Sequence, residues 1–142
     1  AFDKSSAQHE AARSFLAIHA RNEKFCLCEQ VLMELYGLLR NPMVNRNPLP
    51  APQAVAIIQG LRGNPSWRIV DAGKNRALMN GVWEKAKAPE LAYRRIFDLR
   101  LAATLRAHGV TDFATRNLKD FQDQGFKRVW NPLTDPANAT LA

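Results

Sequence analysis

The chain has 142 residues, enough for one domain with one sizeable core. Hydrophobic residues make up 46% and charged residues 23%, a globular balance, while aromatics at 8% argue against a stacking platform for single-stranded nucleic acid. A formal net charge of +7 points to an anionic partner such as nucleic acid, an acidic protein segment or a phosphate-bearing ligand, and no apolar run is long enough to span a membrane.

Ser5 or Ser6 suits the N-cap of a first helix, and Ser5 with Gln8 resembles a capping box. The spacing predicts that helix over Ala7–Ala20, with Ala11, Phe15 and Ile18 inward. A strand follows at Lys24–Cys28. It puts Cys26 and Cys28 on one face, too close in sequence for an unstrained disulfide. Without a second cysteine pair, structural zinc is not expected, and both read as reduced, half-buried residues of a cytoplasmic protein. His9, His19 and His108 lack ligand spacing and read as surface residues.

A second helix runs from about Glu29 to Leu39, with Val31, Leu35 and Leu38 as its inward stripe, and "RNP" at 40–42 stops it. The turn-rich stretch 41–52 reads as an irregular loop. Then come a helix at Gln53–Leu61, a strand at Trp67–Val70, a helix at Lys74–Lys87 carrying Leu78, Met79 and Val82, and a helix at about Ala92–His108. Val110–Thr115 is a strand, Leu118–Phe121 a single turn, and Phe126–Trp130 the last strand, closed by "NP" at 131–132. Residues 1–133 are expected to form one domain, and 134–142 a flexible tail whose Asn138-Ala139-Thr140 glycosylation pattern is treated as chance. Alternating strands and helices predict an α/β layer fold with a mainly parallel sheet. Ligands of such sheets bind beyond the carboxyl ends of the strands.

Acids cluster at those positions. Asp98 shares a helix face with Leu101, Ala102 and Leu105, so the core stripe of its helix begins with a carboxylate. A buried acid needs compensation, from Arg94, from Arg95 or from a metal ion. Glu29 suits the first turn of its helix, where its charge meets the helix dipole. Glu34 lies at the edge of the same helix's inward stripe. Asn117 and Asp120 follow the strand at 110–115. Carboxylate and amide oxygens converging on one point repel each other unless a hard cation such as magnesium or manganese relieves them. A cation held this way can polarise a phosphodiester and activate water. Arg94, Arg95, Arg100, Arg106, Arg116 and Lys119 are candidates to hold a nucleic-acid backbone.

Three segments in this order, "MELYGLLRNP", "IFDLRLAATLRAHGV" and "FATRNLKDF", resemble the PIN-domain ribonucleases, and more closely the VapC-like toxins of toxin–antitoxin pairs; "KRVWNPL" is similar to that family's last strand. The resemblance implies a three-layer α/β/α sandwich with a mainly parallel sheet. It also implies a magnesium- or manganese-dependent endoribonuclease, inhibited by a cognate antitoxin protein and often homodimeric. By the same resemblance Glu34, Asp98, Asp120 and Asn117 form the catalytic set, with Glu34, Asp98 and Asp120 on the metal. Thr115 supports the cluster. From their charge, Arg94, Arg95, Arg116 and Lys119 are expected to contact RNA.

The family's first strand, ending in an Asp-x-Asn pattern that carries a further metal-binding acid, is not visible. "AFDKSSAQHE" resembles the segment just after it, and Asp3 is not that acid because no apolar strand precedes it. The natural protein is therefore expected to carry about ten more residues ahead of Ala1, a strand and its entry. Two rival readings stand beside the enzyme: a PIN-fold module with an impaired acid cluster that binds RNA or a partner, and an unrelated α/β domain in which Asp98 merely pairs with Arg94. The apolar stripes over 7–20 and 53–62 are candidate association faces.

Overall fold

The computed structural model describes residues 7–135, and the capping serines and the glycosylation pattern lie outside them. In chain order the elements are α1 (Ala7–Ile18), β1 (Cys26–Cys28), α2 (Glu29–Arg40), α3 (Ala51–Arg62), β2 (Arg68–Val70), α4 (Arg76–Ala86), α5 (Arg95–Ala107), β3 (Asp112–Ala114), α6 (Leu118–Phe121) and β4 (Arg128–Trp130). The class is α/β, and both strand pairings among the described residues are parallel, as the alternation predicts. β1 pairs with β2 in the register Cys26↔Arg68, Leu27↔Ile69, Cys28↔Val70. β3 pairs with β4 in the register Asp112↔Arg128, Phe113↔Val129, Ala114↔Trp130. Among the described residues these are two separate two-stranded sheets. A cavity of about 490 Å³ is lined by Cys26, Leu27 and Cys28 of β1 and by Phe113 and Ala114 of β3, with Trp130 in its wall.

Helix boundaries follow local chemistry. Pro52 fits the first turn of α3, where its missing N–H costs nothing, so the helix starts before Gln53. Asn75 caps α4 by accepting from the Leu78 N–H at 2.9 Å, which moves the start past Lys74. α5 ends in a Schellman motif. Gly109 takes φ +82°, the Val110 N–H donates to the Leu105 carbonyl at 3.0 Å, and the Gly109 N–H to the Arg106 carbonyl at 3.0 Å. That closure turns the chain straight into β3.

The core joins both strand pairs through α5. Leu101, Ala102 and Leu105 pack with Cys28, Val70 and Phe121, and Val110, Phe113 and Val129 close around them. The predicted stripe of α5 is thus the observed one, with Leu99 and Thr104 also buried. Thr104 satisfies its hydroxyl by donating to the Arg100 carbonyl at 2.7 Å.

Other inward stripes differ from expectation. In α2 the buried residues are Gln30, Leu32 and Leu39, while Leu38 is 45% exposed. Val31 and Leu35 are half-buried, Val31 against the core cluster as expected, while Gln30 takes the buried position that bonds to α5. In α1 Phe15 is half-buried but Ile18 is exposed, because the inward position at the end of the helix is taken by His19. His19 is buried, against the surface reading, with its ring 4.8 Å from that of Phe15 and 5.4 Å from that of Phe25. His108 is exposed, as expected. Val55 and Ile57 of α3 are exposed too. No helix among the described residues is long and apolar enough to cross a membrane.

Candidate functional site

Asp98 and Asp120 are the acids the fold brings together. Asp98 sits in the first turn of α5, where a negative charge meets the positive end of the helix dipole. Asp120 sits on the single turn of α6, which the buried Phe121 fastens to the core against Phe113, ring centroids 4.8 Å apart. Both side chains are under one-third exposed. Burial and the neighbouring Asp120 charge push the Asp98 carboxyl up from its ordinary range, and Arg95 offsets this only in part.

The cation beside them is Arg95. Its Nε lies 4.0 Å from Asp98 Oδ2 and 3.6 Å from Asp120 Oδ1, beyond hydrogen-bond range for either. Its Nη2 donates instead to the Asp120 carbonyl at 2.7 Å. Arg94, the alternative partner for Asp98, turns away and donates to the Tyr93 hydroxyl at 3.2 Å. The reading in which Asp98 only pairs with Arg94 therefore fails.

Asn117 joins the pair. It occupies the N-cap of α6, but its side chain makes no cap; Nδ2 donates to Asp120 Oδ2. Its backbone N–H donates to the Thr115 hydroxyl at 3.1 Å, and the Thr115 N–H donates to the Trp130 carbonyl at 2.9 Å. Thr115 thus ties the loop carrying Asn117 to the end of β4. Arg116 and Lys119 are exposed on the same loop and turn, and Arg94 is exposed at the start of α5.

Glu34 is not gathered in. It is exposed and enters no hydrogen bond or ion pair among the described residues. It does lie one turn beyond Gln30, on the side of α2 turned toward α5. No three His, Cys, Asp or Glu side chains among the described residues converge closely enough for a metal ion. The donors that do converge are two carboxylates, with an amide oxygen alongside. Hard oxygens in that number fit a magnesium-like ion, which keeps several waters and takes only one or two protein carboxylates. An acid pair left short of compensating charge is chemically suited to such an ion.

Gln30 is a residue that sequence reasoning passed over. It is buried, donates through Nε2 to the Phe97 carbonyl at 2.9 Å, and accepts from Arg100 Nη1 at 3.1 Å. It locks α2 to the turn of α5 that carries Asp98. Its only sequence signal is a long polar side chain near the start of an otherwise apolar helix. Glu29, by contrast, pairs with Arg62 at 2.7 Å and ties α2 to α3.

No protein-family model matches this chain, and no solved structure does. Among curated proteins it is similar to Ribonuclease VapC24 from two strains of Mycobacterium tuberculosis. The identity is 48% over 132 residues, covering 93% of this chain and 89% of each relative. With that identity over nearly its whole length, the chain belongs to the VapC family of PIN-domain ribonucleases, the family its acid-bearing segments resemble.

Proposed function

We propose that this chain is a metal-dependent endoribonuclease that cleaves RNA phosphodiester bonds and acts as the toxin of a toxin–antitoxin pair. One observation carries the reading: Asp98 and Asp120 meet at the junction of α5 and α6 without enough positive charge to balance them. Asp98 and Asp120 are the residues to hold a magnesium or manganese ion, with Asn117 orienting Asp120. Glu34 is to join through intervening water from its side of α2. Bound there, the cation supplies charge against the phosphodiester oxygens and activates water. The exposed Arg94, Arg116 and Lys119 hold the RNA backbone by charge, consistent with the net +7. Arg95, also expected on RNA, is turned inward to Asp120.

The partners are RNA, a cognate antitoxin and a second copy of the chain, in the cytoplasm. Exposed Leu16 and Ile18 of α1 and Val55 and Ile57 of α3 support the association faces.

The test is Asp98→Asn in the intact protein. RNA cleavage with magnesium or manganese should fall at least about a hundredfold, the upper end of what even an outer-shell group contributes to a metal site. The circular dichroism spectrum should stay that of the folded chain. Undiminished cleavage would refute the assignment. RNA binding that persists in chelator, with no products when metal is restored, would instead favour the impaired binding module.

A further inference from the structure

Arg95 touches both acids by charge yet hydrogen-bonds to neither carboxylate. An arginine that clamps a carboxylate with two N–H donors ties up the oxygens a metal ion needs. Here the guanidinium spends its short bond on the Asp120 main chain, at 2.7 Å, and makes no hydrogen bond to either carboxylate, so Asp120 keeps Oδ1 free of it while Oδ2 accepts from Asn117. Its Nε is buried and has no hydrogen-bond partner, pointing to the gap between the two acids. We propose that Arg95 is a positioning residue: it straps the first turn of α5 to α6 and sets the separation at which Asp98 and Asp120 hold a divalent cation.

The strap is needed because α6 is a single turn, Leu118–Phe121, too short to hold itself in place. Phe121 fixes one side of that turn in the core. The Arg95 bond to the Asp120 carbonyl fixes the other. A planar guanidinium can make that bond and still keep Nε between the acids, because its donors are spread over a rigid fork. A lysine has one nitrogen and cannot do both. The exposed Arg94, one residue earlier, reaches neither acid and donates to Tyr93.

The inference rests on the proposed metal-binding role of Asp98 and Asp120, and its test separates the two. Manganese is titrated into the chelator-treated full chain, with free Mn²⁺ followed by electron paramagnetic resonance and the melting temperature recorded alongside. Wild type should bind Mn²⁺ in a manner abolished by Asp98→Asn. Arg95→Met should weaken Mn²⁺ binding about tenfold, the scale of an outer-shell loss, and Arg95→Lys should recover only part of it. Binding by Arg95→Met as tight as wild type, or tighter, overturns the proposal, the latter because Arg95 would then be merely a competitor for the acids. Full recovery by lysine also overturns it, since charge alone would suffice. Should Arg95→Met fail to fold, Arg95→Lys decides: several-fold weaker binding supports the strap, and wild-type binding overturns it. Wild type without Asp98-dependent Mn²⁺ binding sinks the metal site itself, and the strap with it.

Discussion

The two ends of α5 are built on opposite plans. Toward the C-terminal end Leu101, Ala102, Thr104 and Leu105 are buried, and the last carbonyls are closed by the backbone at Gly109 and Val110. The N-terminal turn has no side-chain cap, carries an acid whose charge is opposed by a second acid, and leaves an arginine nitrogen without a partner. Most of the burial lies toward one end, and the acid pair proposed to hold the metal lies at the other. Local frustration of this sort marks a functional site when the rest of the element is consistent. The division can be attacked from both sides.

The largest expected effect on stability comes from the quiet end. Leu105→Ala removes side-chain volume where both strand pairs meet and should cost about 2–5 kcal/mol, read by urea denaturation. A loss well under that range would mean that α5 does not organise the core. Next is Gly109→Ala. Nothing lies within 4 Å of the added Cβ, so only the left-handed backbone resists it, and the loss should be about 1–2 kcal/mol. A neutral result would mean that the Schellman closure is not needed to launch β3.

The cysteines offer a chemical check on the same buried layer. Burial pushes both thiols up from their ordinary range, so few thiolates exist near neutral pH. Alkylation of Cys26 and Cys28 in the folded chain should be much slower than in urea. Equal rates would show that β1 opens readily.

The smallest effect belongs to the charged end. The fold raises the Asp98 pKa, so the folded chain holds its proton more tightly than the unfolded chain does. In chelator, stability should therefore decline as pH rises from the ordinary aspartate range through the raised value, then level off. Asp98→Asn should flatten that decline, and its melting temperature at neutral pH should equal or slightly exceed that of wild type. A neutral-pH melting temperature clearly below wild type would mean that Asp98 supports the fold, and the contrast between the two ends would dissolve.

Much of this was legible from the residues in order. All four strands were, because short apolar runs flanked by turn residues admit few alternatives, though each proved shorter than its apolar run. So was the stripe of α5, where Leu101, Ala102 and Leu105 repeat at helical spacing. What escaped depends on contacts between residues distant in sequence. Arg94 and Arg95 are indistinguishable by spacing, and only the placement of α6 selects Arg95. Gln30 looks like a solvent-facing residue until the Phe97 carbonyl, 67 positions away, is found at its amide. His19 is drawn inward by Phe15 and Phe25. Asp98, at the start of α5, and Asp120 with Asn117, behind β3, lie close to one another as the family resemblance implied, whereas Glu34 stands apart from them.

Because α5 packs against both strand pairs, it behaves as a lever with its fulcrum in the core. Asp98 precedes Leu105 by two helical turns, about 10 Å along the axis. A tilt of roughly 5° at Leu105 would carry the carboxylate about 1 Å, a displacement that can cost an enzyme on the order of a hundredfold in rate. Pressure on either strand pair would therefore reach the proposed metal site without any contact with the acids.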